Sequence, residues 1–338
     1  MTDRNKFLFI PVLAVMGVIY SALFPVNQMS VEAGLPYIGY TFWFNLLATL
    51  VLLVLAAFKR ELPLLTWPHL RGYVLLSIVA VAVPVPLLTF LSDKVPVGII
   101  TLLMVLVPLI TYALSYFLRI EKFRISGMIG LLLGLSGLLF VLVPAAGLPA
   151  PEMVGWTLLA LIAPSCFALS NSFVTLLRPP GTPSLMMGAG MSAAATIMLA
   201  PVMVVSGQAF VFPTEALAGN LPILYATGIT SFTIVGWFTL VRITGPVFFS
   251  QFNYFIVLGG FGWGYLLYDE RHSFWVWIAT ACTFAGLAVF THGAKSQETA
   301  EKAPASAESP RLFYSARLRK AGVSPLINVL RYFYIFCR

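Results

Sequence analysis

Residues 97–118 read VGIITLLMVLVPLITYALSYFL and contain no charged side chain. A helix needs about 20 predominantly apolar residues to cross the hydrocarbon core of a bilayer. The run is followed at once by RIEKFR at residues 119–124, where four of the six side chains are charged. An uncharged segment of this length that ends in a charged cluster predicts a transmembrane helix with one end at a membrane surface.

Nine further apolar runs of similar length occur along the chain, and short breaks separate them. The ten predicted spans are 7–26, 37–58, 70–91, 97–118, 126–144, 154–175, 185–205, 221–241, 246–267 and 274–292. Charged residues make up 9% of the chain, whereas a soluble domain has about 25%. We therefore predict an all-α membrane protein with about ten transmembrane helices and no soluble domain between them.

The placement of charged and cysteine residues argues against two classes of protein. Much of the net charge of +8 belongs to the tail from Lys295, which holds eight Lys or Arg and three Glu. Binding of nucleic acid would need a basic folded face, so we predict no nucleic-acid partner. The cysteines at 166, 282 and 337 lack the paired spacing of a disulfide or metal site, and we predict neither a metal nor a cofactor.

The Lys and Arg residues predict the orientation of the chain. With the N-terminus in the cytoplasm, 18 of the 20 fall on the cytoplasmic side, and only Lys94 and Arg271 fall outside. Positive charge concentrates in cytoplasmic loops. The sequence thus predicts a multi-pass protein of the inner or plasma membrane with both termini in the cytoplasm.

The chain also contains a weak internal repeat. Shifting the sequence by 149 residues brings Glu121 onto Glu270, Lys122 onto Arg271 and Tyr116 onto Tyr265. Because this repeat is five spans long, the two copies would cross the membrane in opposite directions. Inverted repeats of this kind are typical of secondary transporters.

One group of residues around the fourth and fifth spans forms a recognisable pattern, made of Val107, Pro108, Tyr116, Glu121, Lys122, Gly130, Gly134 and Gly137. This pattern resembles the EamA-like domain of the drug/metabolite transporter superfamily. The resemblance implies two EamA-like units of five helices each, at 7–144 and 154–292. Val257 stands where the family pattern has a proline. Residues 293–338 are predicted to form a disordered, basic cytoplasmic tail.

Polar residues inside spans are the candidates for a solute site, since burying them in a membrane costs free energy. The candidate cavity-lining residues are Asn27, Ser170, Asn171, Trp237, Gln251, Asn253 and Tyr254. In the resembled family, the sixth and ninth spans line the cavity. The alternative is that such residues form hydrogen bonds between neighbouring helices, which we expect for Asn45.

Prolines and carboxylates add two further hypotheses. Pro84, Pro86 and Pro108 lie inside spans and are the hinge candidates, because transporters use broken helices near their binding sites. No carboxylate lies in the middle of a span, so a coupling group would have to lie at the mouth of the pathway. Glu32 is the coupling candidate.

The sequence therefore favours a permease or exporter that moves a small metabolite or drug by alternating access, with the solute and the bilayer as its partners. A flippase for lipid-linked sugars, from the same superfamily, is the alternative. An intramembrane enzyme is disfavoured, because the histidines lie at span ends on different sides and no catalytic residues can be assigned. The solute, the direction, the coupling ion and the choice between monomer and homodimer are left open.

Overall fold

The computed structural model describes residues 9–120, 152–213 and 217–269 continuously, with isolated positions between 125 and 136 and between 278 and 289. Only scattered positions of the predicted spans 126–144 and 274–292 are described, and the tail 293–338 lies entirely outside the described residues. All regular secondary structure in the described part of the chain is helical, in agreement with the predicted all-α class.

The helices follow one another with short connections. In chain order they are α1 Ile10–Ser21, α2 Leu23–Glu32, α3 Tyr37–Lys59, α4 Trp67–Ser77, α5 Pro84–Leu91, α6 Val97–Leu103, α7 Leu106–Phe117, α8 Glu152–Ala160, α9 Ile162–Leu177, α10 Ser184–Val205, α11 Leu217–Thr244, α12 Pro246–Ser250 and α13 Phe252–Tyr268. A π-helical turn, Ile78–Ala82, joins α4 to α5.

Seven segments of the described chain are long and apolar enough to cross a membrane. They are Ile10–Glu32, Tyr37–Lys59, Trp67–Leu91, Val97–Phe117, Gly155–Leu177, Ser184–Val205 and Gly219–Thr244. These segments coincide with the first to fourth and sixth to eighth predicted spans, so the protein is a multi-pass membrane protein. The predicted end of the first span at residue 26 is wrong, because the helical segment continues through Pro25 to Glu32.

The predicted ninth span is helical but differs from the seven. It consists of α12 and α13, which Gln251 separates. The longer of the two, α13, has only 17 residues, fewer than the roughly 20 that a spanning helix needs.

Prolines account for three of the breaks between consecutive helices. α1 gives way to α2 at Ala22, three residues before Pro25, and α8 gives way to α9 at Leu161, three residues before Pro164. α7 starts at Leu106, and Pro108 follows in its first turn. A proline inside a helix lacks the N–H donor and clashes with the carbonyl group four residues earlier, so the helix breaks there.

The third predicted span contains the largest departure from regular α-geometry. The Val83 N–H donates to the Ile78 carbonyl oxygen at 3.1 Å, five residues back, and Pro84 begins the next helix. Pro84 and Pro86 cannot donate to the carbonyl groups of Ala80 and Ala82. Two of the hinge candidates therefore follow directly after a widened turn, a kind of irregularity often found at functional positions.

A buried polar cluster joins α3 to α10. The Asn45 Nδ2 donates to the Thr196 Oγ1 at 2.8 Å and to the Ser192 carbonyl oxygen at 3.0 Å. The Thr49 and Ser192 hydroxyl oxygens lie 2.9 Å apart. Asn45 is fully buried, and it connects helices as the sequence predicts. Ile38, at the start of α3, donates its N–H to Gln208, just beyond the end of α10, so the two helices run antiparallel.

Glycines bring α13 close to α1 and α6. An added Cβ at Gly259 would overlap Ser21 of α1, and one at Gly260 would overlap the Thr101 side chain of α6. The Trp263 Nε1 donates to the Val18 carbonyl oxygen at 3.2 Å. These small residues permit the near contact of backbones that is typical of membrane helices.

Replacing Gly260 by alanine is expected to lower the free energy of unfolding by about 1–3 kcal/mol, through overpacking against Thr101. Thr101 cannot easily give way, because its Oγ1 donates to the carbonyl oxygens of Val97 and Gly98 at 3.0 Å each. Gly262→Ala is the matched control, since an added Cβ there meets no atom within 4 Å. Thermal unfolding in detergent measures both variants, and equal midpoints would contradict the expected close contact.

Candidate functional site

A cavity of about 120 Å³ lies inside the described helical bundle. Its polar lining residues are Tyr20, Asn27, Ser170, Asn171, Thr230, Thr233, Trp237 and Asn253. Its apolar wall includes five phenylalanines, Phe24, Phe44, Phe167, Phe249 and Phe252. None of the described lining residues carries a charge.

Five of the seven predicted site residues line this cavity, and Gln251 and Tyr254 do not. Both are almost completely buried elsewhere in the bundle. Successive residues of an α-helix point about 100° apart, so Asn253 can face the cavity while residues two before and one after it point away. The solute-binding role of all seven residues stays a prediction.

Asn171 and Trp237 form a pair across the cavity wall. The Trp237 Nε1 donates to the Asn171 Oδ1 at 3.0 Å. Asn171 belongs to α9 and Trp237 to α11, so this bond joins two predicted spans. Asn171 is only 4% exposed, and its remaining polar atom, Nδ2, forms no hydrogen bond within the described part of the chain.

Asn27 forms a second amide–aromatic pair. The Tyr40 hydroxyl donates to the Asn27 Oδ1 at 3.1 Å, which joins α2 to α3. Tyr40 is fully buried and packs against Phe44, with ring centroids 5.0 Å apart. This pair closes the cavity wall between the first and second predicted spans.

The two pairs lie toward opposite ends of the bundle. α2 ends where α3 begins, and Asn27 lies five residues before that end. α9 instead ends beside α4, where an added Cβ at Gly72 would lie 3.0 Å from the Leu177 carbonyl oxygen. Asn171 lies six residues before this end. At 1.5 Å per residue, each asparagine is about 8–9 Å from its own end.

Two other predicted residues use their polar groups locally. The Asn253 Nδ2 donates to the Ser250 carbonyl oxygen at 3.0 Å, one turn earlier in the chain. The Ser170 hydroxyl donates to the Phe167 carbonyl oxygen at 2.8 Å within its own helix. Asn253 keeps its Oδ1 for the cavity, whereas the only donor of Ser170 is already used.

Glu32 lies away from the cavity wall. It is exposed at the end of α2, and its Oε1 accepts a hydrogen bond from the Gln28 Nε2 at 3.0 Å. Any role in ion coupling would therefore act at the mouth of a pathway, as the sequence predicts. No group of three or more metal-ligating side chains occurs among the residues that the structure describes.

Arg178 connects three segments at the end of the bundle where α9 stops. Its Nε donates to the Thr182 carbonyl oxygen at 3.0 Å and its Nη1 to the Phe238 carbonyl oxygen at 3.1 Å. Its Nη2 also bonds the Ser184 Oγ at 3.3 Å. Partial burial, and next the charge of Arg242, lower the pKa of Arg178 to about 10. Arg178 is thus still charged at pH 7.

Sequence reasoning missed several cavity residues, notably Tyr20, Phe249 and Phe252. The face of α13 and the residues just before it could have indicated two of them, since positions 249, 252, 253 and 256 follow helical spacing. Tyr20 carried no such signal, because α1 is apolar on all sides and its buried face is not readable from the pattern.

The described helices of spanning length define a multi-pass membrane protein, and they surround a cavity whose described lining carries no charge. Residues 8–143 match the model of the EamA-like transporter family, which belongs to the drug/metabolite transporter superfamily. The resemblance predicted from the sequence is thereby confirmed over these residues. Members of this family are transporters rather than enzymes.

Two further comparisons concern whole proteins. One solved crystal structure aligns with a TM-score of 0.61 and 19% sequence identity, covering 85% of this chain and 98% of that chain. At this identity the likeness shows the fold alone. No curated protein matches the chain.

Arg178→Ala is expected to lower the unfolding free energy by about 1–3 kcal/mol, because the carbonyl oxygens of Thr182 and Phe238 lose their donor. Arg242→Ala is the control, since Arg242 is exposed and its charge lowers the pKa of Arg178 rather than supporting it. Thermal unfolding of both variants in detergent tests this expectation. An equal loss in the two variants would assign the effect to surface charge instead of the hydrogen bonds.

Proposed function

We propose that this protein is a transporter built from two inverted five-helix units, at 7–144 and 154–292, that moves a small organic solute by alternating access. The observation that carries this proposal is the packing pattern of the described helices. The principal contacts of that pattern are retained when the first four spans are exchanged with the sixth to ninth.

The exchange can be followed through the principal helix contacts. The contact of α1 with α13 corresponds to that of α9 with α7. The contact of α10 with α4 corresponds to that of α11 with α3, and the contact of α11 with α2 corresponds to that of α9 with α4. The contact of α3 with α10 is its own counterpart, and the contact of α6 with α13 corresponds to that of α7 with α12. Such a pattern is expected when two similar units are related by a two-fold axis.

The direction of the helices supports an inverted relationship. A shift of 149 residues carries α3 onto α10, and these two counterparts run antiparallel. The same shift carries the start of α6, Val97, onto the start of α12, Pro246. A two-fold axis in the membrane plane, as in many secondary transporters, relates counterparts in this way.

The cavity supports alternating access. It is bounded toward one end by the pair Asn27–Tyr40 and toward the other by the pair Asn171–Trp237. Opening one pair while the other stays closed would expose the solute to one side at a time. The irregular turn before Pro84 and the break before Pro108 are the proposed hinges, since each allows a helix to bend within the membrane.

The charged residues support the proposed orientation. Arg178 and Arg242 lie together at one end of the bundle, and Arg178 bonds Thr182, which in turn contacts His69 at the start of α4. Lys94 follows α5 at the opposite end, paired with Asp93 at 2.7 Å. The arginine-rich end is the proposed cytoplasmic side of the inner or plasma membrane.

A lipid-linked sugar flippase has less support. It would need a lateral opening that joins the cavity, so that a headgroup could enter from the bilayer. A lateral groove of about 410 Å³ does lie between α3, α5 and α10. It shares no lining residue with the cavity, because the two spaces lie on opposite sides of the third span.

The first experiment is a solute screen on proteoliposomes with and without a proton gradient. Uptake that requires the gradient would direct attention to Glu32, which is the proposed coupling group. Gradient-independent uptake would support a facilitator with an uncharged pathway. Absence of uptake for every solute tested would count against the proposed function.

Asn171→Ala and Asn253→Ala are expected to reduce the transport rate per folded molecule, because each removes a polar group from the cavity wall. Asn45→Ala is the matched control, because Asn45 bonds only within the helix seam. It should reduce the amount of folded protein and leave the rate per molecule unchanged. If Asn171→Ala and Asn253→Ala instead lower the amount of folded protein and leave the rate per molecule unchanged, the two residues have a structural role.

Replacing both Pro84 and Pro86 by alanine is expected to slow transport without loss of folded protein. The new N–H donors would favour a regular helix and stiffen the third span. Pro201→Ala is the control, because Pro201 lies inside α10 without breaking it. Equal transport rates in the wild type and the double variant would argue against a hinge at this position.

A further inference from the structure

Asn171 and Asn253 present an amide donor and an amide acceptor to the cavity, and their orientations follow from their partners. The amide of Asn27 is not fixed in this way, because its partner, the Tyr40 hydroxyl, can donate or accept. An indole N–H can only donate, so Asn171 must turn its Oδ1 to Trp237 and keep its Nδ2 free. A backbone carbonyl can only accept, so Asn253 must turn its Nδ2 to Ser250 and keep its Oδ1 free. Neither free atom has a hydrogen-bond partner among the described residues.

The walls around these amides are aromatic and flat. Phe249 and Phe252 stack with centroids 5.2 Å apart and an angle of 21°, and Tyr20 packs on Phe252 at 5.6 Å. Rings of this kind favour contact with another flat ring. A cavity of about 120 Å³ is close to the roughly 150 Å³ that holds a benzene-sized ligand elsewhere, so its volume fits about one six-membered ring.

The charge of a planar solute determines how favourably it enters this cavity. A charged solute would leave water without meeting an opposite charge on the described wall, and this desolvation is costly. Cation–π attraction to the rings could offset part of the cost for an organic cation, but it is the smaller effect. An anion would lack even this compensation.

We propose that the site selects an uncharged, planar ring solute that both donates and accepts a hydrogen bond, with Asn171 as the donor to it and Asn253 as the acceptor from it. This inference rests on the proposed transport function and specifies its substrate class. A flat neutral amide or lactam edge has the required chemistry, since its carbonyl oxygen meets the Asn171 Nδ2 while its N–H meets the Asn253 Oδ1.

Three probes of nearly equal shape separate the alternatives. Benzamide is neutral, benzoate is an anion and benzamidine is a cation at pH 7. Equilibrium dialysis with the purified full-length protein in detergent measures the affinity for each. Benzamide is expected to bind about tenfold more tightly than both charged probes, because only the neutral ring avoids an unpaired charge. Equal or tighter binding of a charged probe, or no binding of any probe, would overturn the proposal.

Two variants test the assigned roles. Asn171→Asp puts a carboxylate in the cavity and should exchange the preference, weakening benzamide and strengthening benzamidine. Asn253→Leu removes the acceptor and should weaken benzamide and benzamidine, which both carry N–H donors, but not benzoate, which has none. This variant keeps the test decisive where the aspartate variant fails to fold. Ser165→Ala is the control, because Ser165 is exposed on α9 and away from the cavity. Unchanged probe preferences in both variants would place the binding site elsewhere.

Probe binding and transport in proteoliposomes, measured together, separate the substrate class from the transport function. Binding of benzamide, with no solute transported in proteoliposomes, would leave the substrate class standing and overturn transport. Transport restricted to charged solutes would support the transport function and overturn the substrate class.

Discussion

Inside a bilayer each backbone N–H and C=O group must find its partner within the protein, since the lipid offers none. This constraint makes a broken helix costly except where neighbouring protein or a cavity surrounds it. The breaks at Ala22, Met104 and Gln251 and the widened turn before Pro84 all lie at or beside residues of the cavity wall. The uninterrupted helices α3 and α10 instead pack against each other along a polar seam.

Asparagine side chains serve two purposes in this bundle, and their hydrogen bonds distinguish the two. Asn45 uses both ends of its amide within the seam, donating from Nδ2 and accepting at Oδ1 from the Ser192 hydroxyl at 3.2 Å. Asn171 uses only Oδ1, although it is nearly as well buried. A buried amide with one end unused, turned toward an empty space, favours recognition of a solute over helix association.

The sequence predicted the helices better than it predicted the site. Apolar runs of spanning length are strong signals, and α3 and α10 begin and end within one residue of their predicted bounds. The identity of the cavity wall depends on which way a side chain points, and α1 has no polar face to reveal it. Gln251 and Tyr254 were therefore placed with Asn253, although they point elsewhere, and Tyr20 was overlooked. The arrangement of Gly260 against Thr101 follows from packing between distant segments, which no local pattern indicates.

The seam between α3 and α10 joins counterpart spans, and so it contains the proposed two-fold axis. A residue pair on such an axis would have the same surroundings in the proposed outward-facing and inward-facing states. Its energy enters both states equally and cancels from their difference. A substitution that strengthens or weakens this contact should thus change the thermal stability of the protein and leave the equilibrium between the two states unchanged. In a protein of this architecture, thermal stability and the preference for one facing state can evolve separately.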